Sequence, residues 1–597
     1  METIPEKTIA VLPFVNRSGD AEIEYFSDGI TEEIINALAG IRKLRVTSRT
    51  SSFYFKNKQV PVRQIARELD VETILEGSVR LGGDTIRITA QLVHAEEDFH
   101  FWSESWDRKL VNIFEIQDEI SLLIADKLRE QYGHLEIHDH LVKRRTENLD
   151  AYEYSLKARF HFNKWNPVDV QKAIELYEKA IALDPKHTDS YVGLADAYSF
   201  FAVTELIPHQ EAWQKVRDSL DKAYALNPEH AGVHYLLANL AFFYDADFQQ
   251  AFQCALQSIE LKPNYAEAQQ FVSLLYMISG QMEKAKQHLE IAFRIDPLSQ
   301  ETLFYRAYFH YRNEQYENAL SLFDECLSQN PHNVPAYIMR SYCLLKMNRS
   351  DDTIEFLHKM PEEIVVQNER LGITCLTYLL KGEGAKAQMY FGQLKQEAQK
   401  PTSFQAHSYL YLAYAIIKNN DEAFAWLEEA LQLKSSVLLL SYTDPLSNNL
   451  KDDSRYAHYH SLLYGSKEEA LTVQKEKQPL LDLATADRYQ ELLLRFMKEE
   501  QPFLIPNLSL QSLADQLEIH PNKLSWLLNE QLGQNFNEFI NHFRIEYFKT
   551  LVLDPENNHI SLLGLAYESG FNSKTVFNTY FKKQEGITPK EFLKQNG

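Results

Sequence analysis

Hydrophobic and polar positions along the chain fall into three successive patterns. The first is mixed. Thr8-Ile-Ala-Val-Leu-Pro-Phe14 is a compact apolar run, as in a buried strand. Ser27-Asp28 offers N-cap groups to a helix running to Gly40, with Ile30, Ile34, Ile35 and Leu38 on one stripe. A strand at 44–48 and a helix at 62–69 follow. Thr73 to Arg80, a Gly82-Gly83 turn and Thr85 to His94 alternate as a hairpin, and Phe99 to Trp106 adds a third strand. The pattern predicts a small mixed α/β domain over 1–145.

The second pattern, over 150–470, has a helical period and repeats. Asp184-Pro185, Asn227-Pro228, Lys262-Pro263, Asp296-Pro297 and Asn330-Pro331 each close an amphipathic helix, with the prolines 43, 35, 34 and 34 residues apart. A 34-residue period is that of tetratricopeptide repeats, in which proline ends the second helix of a pair so that the next pair can stack. Small and aromatic positions recur within units, as in Ala173 to Ala180 and Ala319 to Cys326, and again in Tyr409 to Tyr414 with Ala423 to Ala430. The spacing predicts a solenoid of about eight units. Such an array offers a concave surface to a peptide or helix, whereas any one of its aromatics is accounted for by core packing.

The third pattern, over 481–597, is a short helix, a turn and a second helix, given twice. Ser509 to Leu517 and Asn522 to Leu532 flank Glu518-Ile-His-Pro521, and Ser561 to Ser569 precedes Gly570-Phe-Asn with Ser573 capping the next helix. In the first unit Leu524, Leu527, Leu528 and Leu532 share one face; Asn522, Ser525, Trp526 and Asn529 share the other. In the second, Phe577 and Phe581 point inward, and Lys574, Thr575, Asn578, Thr579 and Lys582 point outward. One long helix from Asn535 to Leu553 spaces the units. Two second helices so held would enter successive major grooves about one turn apart.

Two resemblances sit on these residues. Ile9-Ala-Val-Leu-Pro-Phe-Val-Asn, Tyr25-Phe-Ser-Asp-Gly, Leu75-Glu-Gly-Ser-Val-Arg80 and Trp102-Ser-Glu-Ser-Trp-Asp-Arg108 resemble the TolB-type N-terminal domain. That domain often precedes helical repeats or output domains in bacterial signalling proteins, and the run Asp444 to Tyr456 resembles the cap that closes such arrays. Gly570-Phe-Asn-Ser-Lys-Thr-Val-Phe-Asn-Thr-Tyr-Phe-Lys-Lys583 with Gly586-Ile-Thr-Pro-Lys-Glu-Phe592 resembles the AraC-type (arabinose-regulator) DNA-binding domain over about 500–597. That resemblance implies base contacts from the outward positions of both second helices, with Asn able to read adenine and Ser, Thr or Lys reading edges or phosphates. The chain departs from the pattern at Trp526, where relatives commonly place a basic residue, and at Thr579, where Arg is frequent.

Charge confines where DNA can bind. The chain carries a formal charge of -23, which opposes nucleic acid or anionic lipid over most of the surface and makes any DNA contact local. Residues 502–597 hold eight Lys and Arg against ten Asp and Glu, a net of -2. Phosphate attraction is assigned to Lys574, Lys582, Lys583 and Arg544, with binding weak and salt-sensitive. The four cysteines form no CxxC pair, as expected of buried thiols in a reducing cytosol. With no signal-like N-terminus and no run of about 18 apolar residues, a cytoplasmic protein without a membrane partner is expected. His134, His138 and His140 flank acids but sit in a linker with nothing to supply a second shell, so a solvated tail is expected there and not a metal site. No phosphate loop, HExxH or Gly-x-Ser-x-Gly element is present, so neither catalysis nor a cofactor is expected.

The fold expected is multidomain and mainly α: a TolB-like mixed α/β domain, a tetratricopeptide solenoid and an all-α double helix-turn-helix. The function expected is a transcription regulator that binds double-stranded DNA through its C-terminal domain, with a protein or peptide on the solenoid modulating it. The N-terminal sheet or the solenoid offers a surface for a homodimer. The rival reading is a scaffold whose helix-turn-helix pair no longer reads DNA; a basic stripe of Lys574, Lys582, Lys583 and Arg544 beside the second helices separates the two.

Overall fold

The computed structural model describes residues 7–18, 24–41, 43–83, 85–96, 99–109, 113–133, 148–164, 167–203, 209–361, 366–400, 403–465, 483–557 and 559–596, with Leu135, Ile137, Thr146 and Leu481. The histidine-rich stretch of the linker, His134, His138 and His140, lies outside them. The N-terminal part runs β1 (Lys7–Val11), β2 (Val15–Asn16), α1 (Glu24–Ala39), β3 (Leu44–Val46), α2 (Arg49–Phe53), α3 (Val62–Leu69), β4 (Thr73–Gly82), β5 (Thr85–His94), β6 (Phe99–Lys109) and α4 (Ile113–Tyr132).

These strands form one sheet of order β3-β1-β4-β5-β6, with β2 beside β4. β1 pairs in parallel with β3 and β4, which the crossovers through α1 and α3 permit, while β4, β5 and β6 are antiparallel. The two faces follow the period of two along each strand. Ile9 and Val11 join the core under α1 and α4, whereas Ala10, Ile74 and Val93 pack against Ile65 and Leu69 of α3. The hairpin turns at Gly83, whose φ of +65° suits glycine.

Two features differ from the expectation. Helix α1 starts at Glu24, so Ser27 and Asp28 lie buried inside it instead of capping it, and Asp28 is held by Lys56 Nζ at 2.6 and 2.8 Å. Helix α4 follows β6 beyond the elements the pattern singled out. It is 20 residues long, with Ile116, Ile120, Ile124 and Leu128 buried at four-residue spacing under the sheet.

Antiparallel helix pairs follow, eight among the described residues, from Leu149–Phe162 with Pro167–Leu183 to Phe404–Ile416 with Asn420–Gln432. Small residues bring the helices close: a Cβ on Gly193 would lie 2.2 Å from the Tyr177 ring. Cys254, Cys326, Cys343 and Cys375 are all buried and free, and burial pushes the Cys326 and Cys375 thiols up to about 12. The first pair is not separate from the domain before it, since Tyr152 and Leu156 complete the core under α1 and α4. Turns between pairs also carry that domain: Asn264 Nδ2 donates to the Leu44 carbonyl at 2.9 Å, and Arg45 donates to the Arg294 carbonyl at 2.7 Å.

The segment after the last pair does more than close an end. Leu438–Ser441, the turn of 3-10 helix Pro445–Asp452 and helix Tyr456–Tyr464 run back over helices of earlier pairs. Asp444 accepts from the Tyr311 hydroxyl at 2.7 Å, Arg312 donates to the Thr443 carbonyl at 2.9 Å, and Thr443 donates to the Ile278 carbonyl at 2.8 Å. Tyr464 reaches Phe248, with ring centroids 4.9 Å apart. The chain's own segment therefore covers part of the surface of the earlier repeats.

Candidate nucleic-acid interface

The C-terminal part begins with helix Leu483–Glu499 and holds two small cores, joined by the linker helix Phe536–Leu553. In the first unit the support helix Leu510–Gln516 is opened by a capping box in which Ser509 and Ser512 bond reciprocally. The turn passes through Glu518, at φ +54°, to Pro521, which opens the second helix in its favoured first position. That helix is α-helical only over Pro521–Trp526; Leu527–Gln531 is π-helical, and Gly533 at φ +66° ends it. Asn535 and Glu538 form a second capping box that starts the linker helix.

The second unit is built by the same devices. Ser561 caps the support helix Leu562–Glu568, and Ser573 caps the recognition helix Lys574–Glu585. Gly570 sits between them at φ +93°, and a Cβ there would lie 2.2 Å from the Phe503 carbonyl oxygen. Phe577 and Phe581 pack on Phe548 of the linker helix, with centroids 4.8 and 5.6 Å apart. The Gly-x-Thr-Pro tail has a local reason too. Gly586, at φ +74°, closes the recognition helix, Thr588 exchanges hydrogen bonds with Glu591, and Pro589 opens the last helix.

Outward positions of the two second helices end in opposite surroundings. Lys574, Thr575, Asn578, Thr579 and Lys582 are all exposed on one side of the second unit. Lys583 is exposed as well, and its Nζ donates to Glu538 Oε1 at 2.8 Å. In the first unit Ser525 is only 2% exposed, and Trp526 is half-buried against that unit's core. Asn529 donates back to the Ser525 carbonyl at 2.8 Å. Asn522 is held by the N-terminal part: its Oδ1 accepts from Arg129 Nη1 at 2.7 Å, and its Nδ2 donates to the Ile137 carbonyl at 2.9 Å. The sequence pattern brought these positions to one face but carried no signal of what covers it.

Arg544 is turned away from the surface. It is 7% exposed, and its guanidinium donates to the carbonyls of Phe503 and Ile505, each at 2.8 Å. Burial brings its pKa down to about 10. It ties the linker helix to the segment before the first unit, so the four cations do not line up as one stripe. The exposed basic groups beside the second recognition helix are Lys574, Lys582 and Lys583.

Elsewhere, a cleft of about 650 Å³ is lined by Arg45, Arg63, Arg67 and Arg294 with Asp70, Glu72 and Glu96, a mixed-charge wall without histidine, cysteine or serine. Among the described residues no group of three or more His, Cys, Asp or Glu could hold a metal ion, and no helix is long and apolar enough to cross a membrane.

Comparison with known proteins places these regions. Residues 513–595 match a family model described as a helix-turn-helix domain, and 310–369 match a tetratricopeptide repeat. Residues 5–123 match the second domain of HilA/YgeH-like transcriptional regulators, a different description from the TolB-type one expected of that region. Among curated proteins, a putative adenylate cyclase 3 of Rhizobium meliloti is 35% identical over 38% of this chain and 38% of its own length. The transcriptional regulator HilA of Salmonella typhimurium is 22% identical over 37% of this chain and 39% of its own. The uncharacterized transcriptional regulatory protein YesN of Bacillus subtilis is 33% identical over 15% of this chain and 25% of its own. The chain thus spans about two fifths of the length of the first curated relatives it matches.

Proposed function

We propose that this protein is a sequence-specific, double-stranded-DNA-binding transcription regulator whose repeat solenoid takes a protein or peptide partner that modulates DNA binding. One observation carries the reading. The recognition helix Lys574–Glu585 presents Asn578, Thr575 and Thr579 outward between Lys574 and Lys582, on a phenylalanine core that the linker helix Phe536–Leu553 joins to a second helix-turn-helix unit. Asn is suited to the adenine edge and the lysines to flanking phosphates. Matches to regulator and helix-turn-helix families support the same reading. The reaction chemistry named for the cyclase relative is not part of it, and a cytoplasmic location goes with the regulator role.

The acidic balance of residues 502–597, and the withdrawal of Arg544 from the surface, favour the scaffold reading instead. The two separate on one experiment. The full chain is incubated with random duplexes at low and moderate salt, and bound sequences are counted. Enrichment of a split motif with half-sites about one helical turn apart is expected. Asn578→Ala then relaxes one position and costs ~1–3 kcal/mol, whereas Lys574→Ala weakens all sequences alike and lowers the salt slope by about one. If no sequence is enriched even at low salt, the scaffold reading replaces the regulator reading.

A further inference from the structure

The reading face of the first unit is covered by the chain itself. Its cover is the C-terminal end of α4 and the residues just after it. Glu130 Oε1 accepts from the Leu510 amide at 2.9 Å at the head of the support helix. Gln131 Oε1 accepts from Asn537 Nδ2 at 3.3 Å at the start of the linker helix. Between these two contacts Arg129 and Ile137 hold Asn522, and Asn529 lies on Gly133 so closely that a Cβ there would be 1.9 Å from Asn529 Oδ1.

We infer that residues 129–133 together with Ile137 are a built-in competitor of DNA, so that the first unit binds a duplex only when this contact parts. The inference rests on the DNA-binding reading above. Its geometry is that of a substitute base edge. An asparagine that reads adenine accepts from the N6 amino group through its oxygen and donates to N7 through its nitrogen. Here the backbone of Ile137 offers the same pair: its N–H donates to Asn522 Oδ1 at 3.3 Å and its carbonyl accepts from Asn522 Nδ2 at 2.9 Å. The Arg129 guanidinium adds a second donor to the same oxygen. Those two side-chain atoms serve either Ile137 or a base.

Space leads to the same conclusion. With Gly133 against Asn529, and Arg129 and Ile137 on Asn522, those two side chains cannot meet a groove wall while α4 stays in place. The contact is also of a separable kind. Its named partners are polar groups that water can take over, which is the character of interfaces that open within a chain. The second unit needs no such release, because Lys574, Thr575, Asn578 and Thr579 are already exposed. The closed chain therefore meets DNA through one unit, and the open chain through two.

The test uses the full chain and a duplex selected as above, or the random duplex pool at low salt if selection returns none. Gly133→Ala wedges the contact apart, and because alanine is strained at φ +86°, Arg129→Ala and Gln131→Ala repeat the test by deletion. Apparent affinity scales with the fraction of chain that is open, so each variant is expected to bind roughly tenfold or more tightly than the native chain. Hydrogen exchange at 129–133 is expected to quicken when duplex is added to the native chain. Equal affinity in all forms, with exchange at 129–133 unchanged by duplex, overturns the inference while leaving the regulator reading in place. If no form binds any duplex, the regulator reading fails and the competitor role falls with it.

Discussion

Replacing Arg544 with alanine separates a structural role from a phosphate contact. The guanidinium makes two 2.8 Å hydrogen bonds to the carbonyls of Phe503 and Ile505 and sits 5.7 Å from the Phe571 ring centroid. Bonds from a charged donor contribute about 1.5–3 kcal/mol each, and a buried acceptor left without a partner costs about 1–3 kcal/mol. Against this stands the cost of burying the charge, about 3 kcal/mol for a pKa brought from 12.5 to about 10. The Phe503 carbonyl belongs to a buried residue, while Ile505 is 47% exposed and its surroundings can admit water. The net loss expected is therefore ~2–4 kcal/mol. Hydrogen exchange along Phe536–Leu553 reads it locally, and a loss of that size lowers protection by roughly 30- to 1,000-fold. Arg544→Lys does not recover it, because one ammonium cannot reproduce the planar fork that meets both carbonyls. Native protection in Arg544→Ala, with the salt slope of DNA binding lower by about one, would mean that Arg544 faces phosphate and that this reasoning is wrong.

Two further outcomes follow from the solenoid. Asp196 and Glu301 have their carboxyl pKa values pushed up to about 7, mainly by enclosure and next by the charge of Glu267. Between pH 4 and 7 the folded chain then binds more protons than the unfolded one, so stability falls as pH rises through about 7. The repeats should melt at higher temperature at pH 5.5 than at pH 8, with the gap narrowed by Asp196→Asn; a gap of opposite sign rules this out. Asp444→Ala leaves the buried Tyr311 hydroxyl without its acceptor and should destabilise the repeats by ~2–4 kcal/mol. An unchanged urea midpoint would show that the returning segment is not anchored there.

Much of the local structure was legible in the residues. The hairpin, whose turn falls one residue later than expected because Gly82 pairs with Thr85, the 34-residue spacing, and the two support-turn-helix units with a cap at Ser573 all come from short-range chemistry. Each is encoded within a few positions of where it acts: an N-cap oxygen meets an amide two or three residues on, and an apolar stripe needs only its own helix. Helix α4 carries a similar local mark, Ile116, Ile120, Ile124 and Leu128 at four-residue spacing, but was not among the elements expected from the sequence. The AraC-type resemblance picked out the outward positions of the second unit, and those side chains are exposed.

Short-range pattern in the residues thus specified most of the elements and their order, the repeat period, the core-facing stripe of the helices it marked, and the two-unit plan of the C-terminal part, while α4 and the π-helical turn Leu527–Gln531 lay outside it. Only the tertiary structure decided what meets the other side. Asn522 is polar and lies on the side of its helix opposite the leucines, which reads as exposure until Arg129, 393 positions away, and Ile137 arrive to hold it. Arg544 is a cation on an amphipathic helix, and its place inside depends on the carbonyls of Phe503 and Ile505. The segment 438–465 returns over earlier repeats because Tyr311 and Arg312 await it there. Periodicity reports how a segment divides its faces, whereas contact between faces far apart in the chain depends on how whole elements stack, and no local pattern records that.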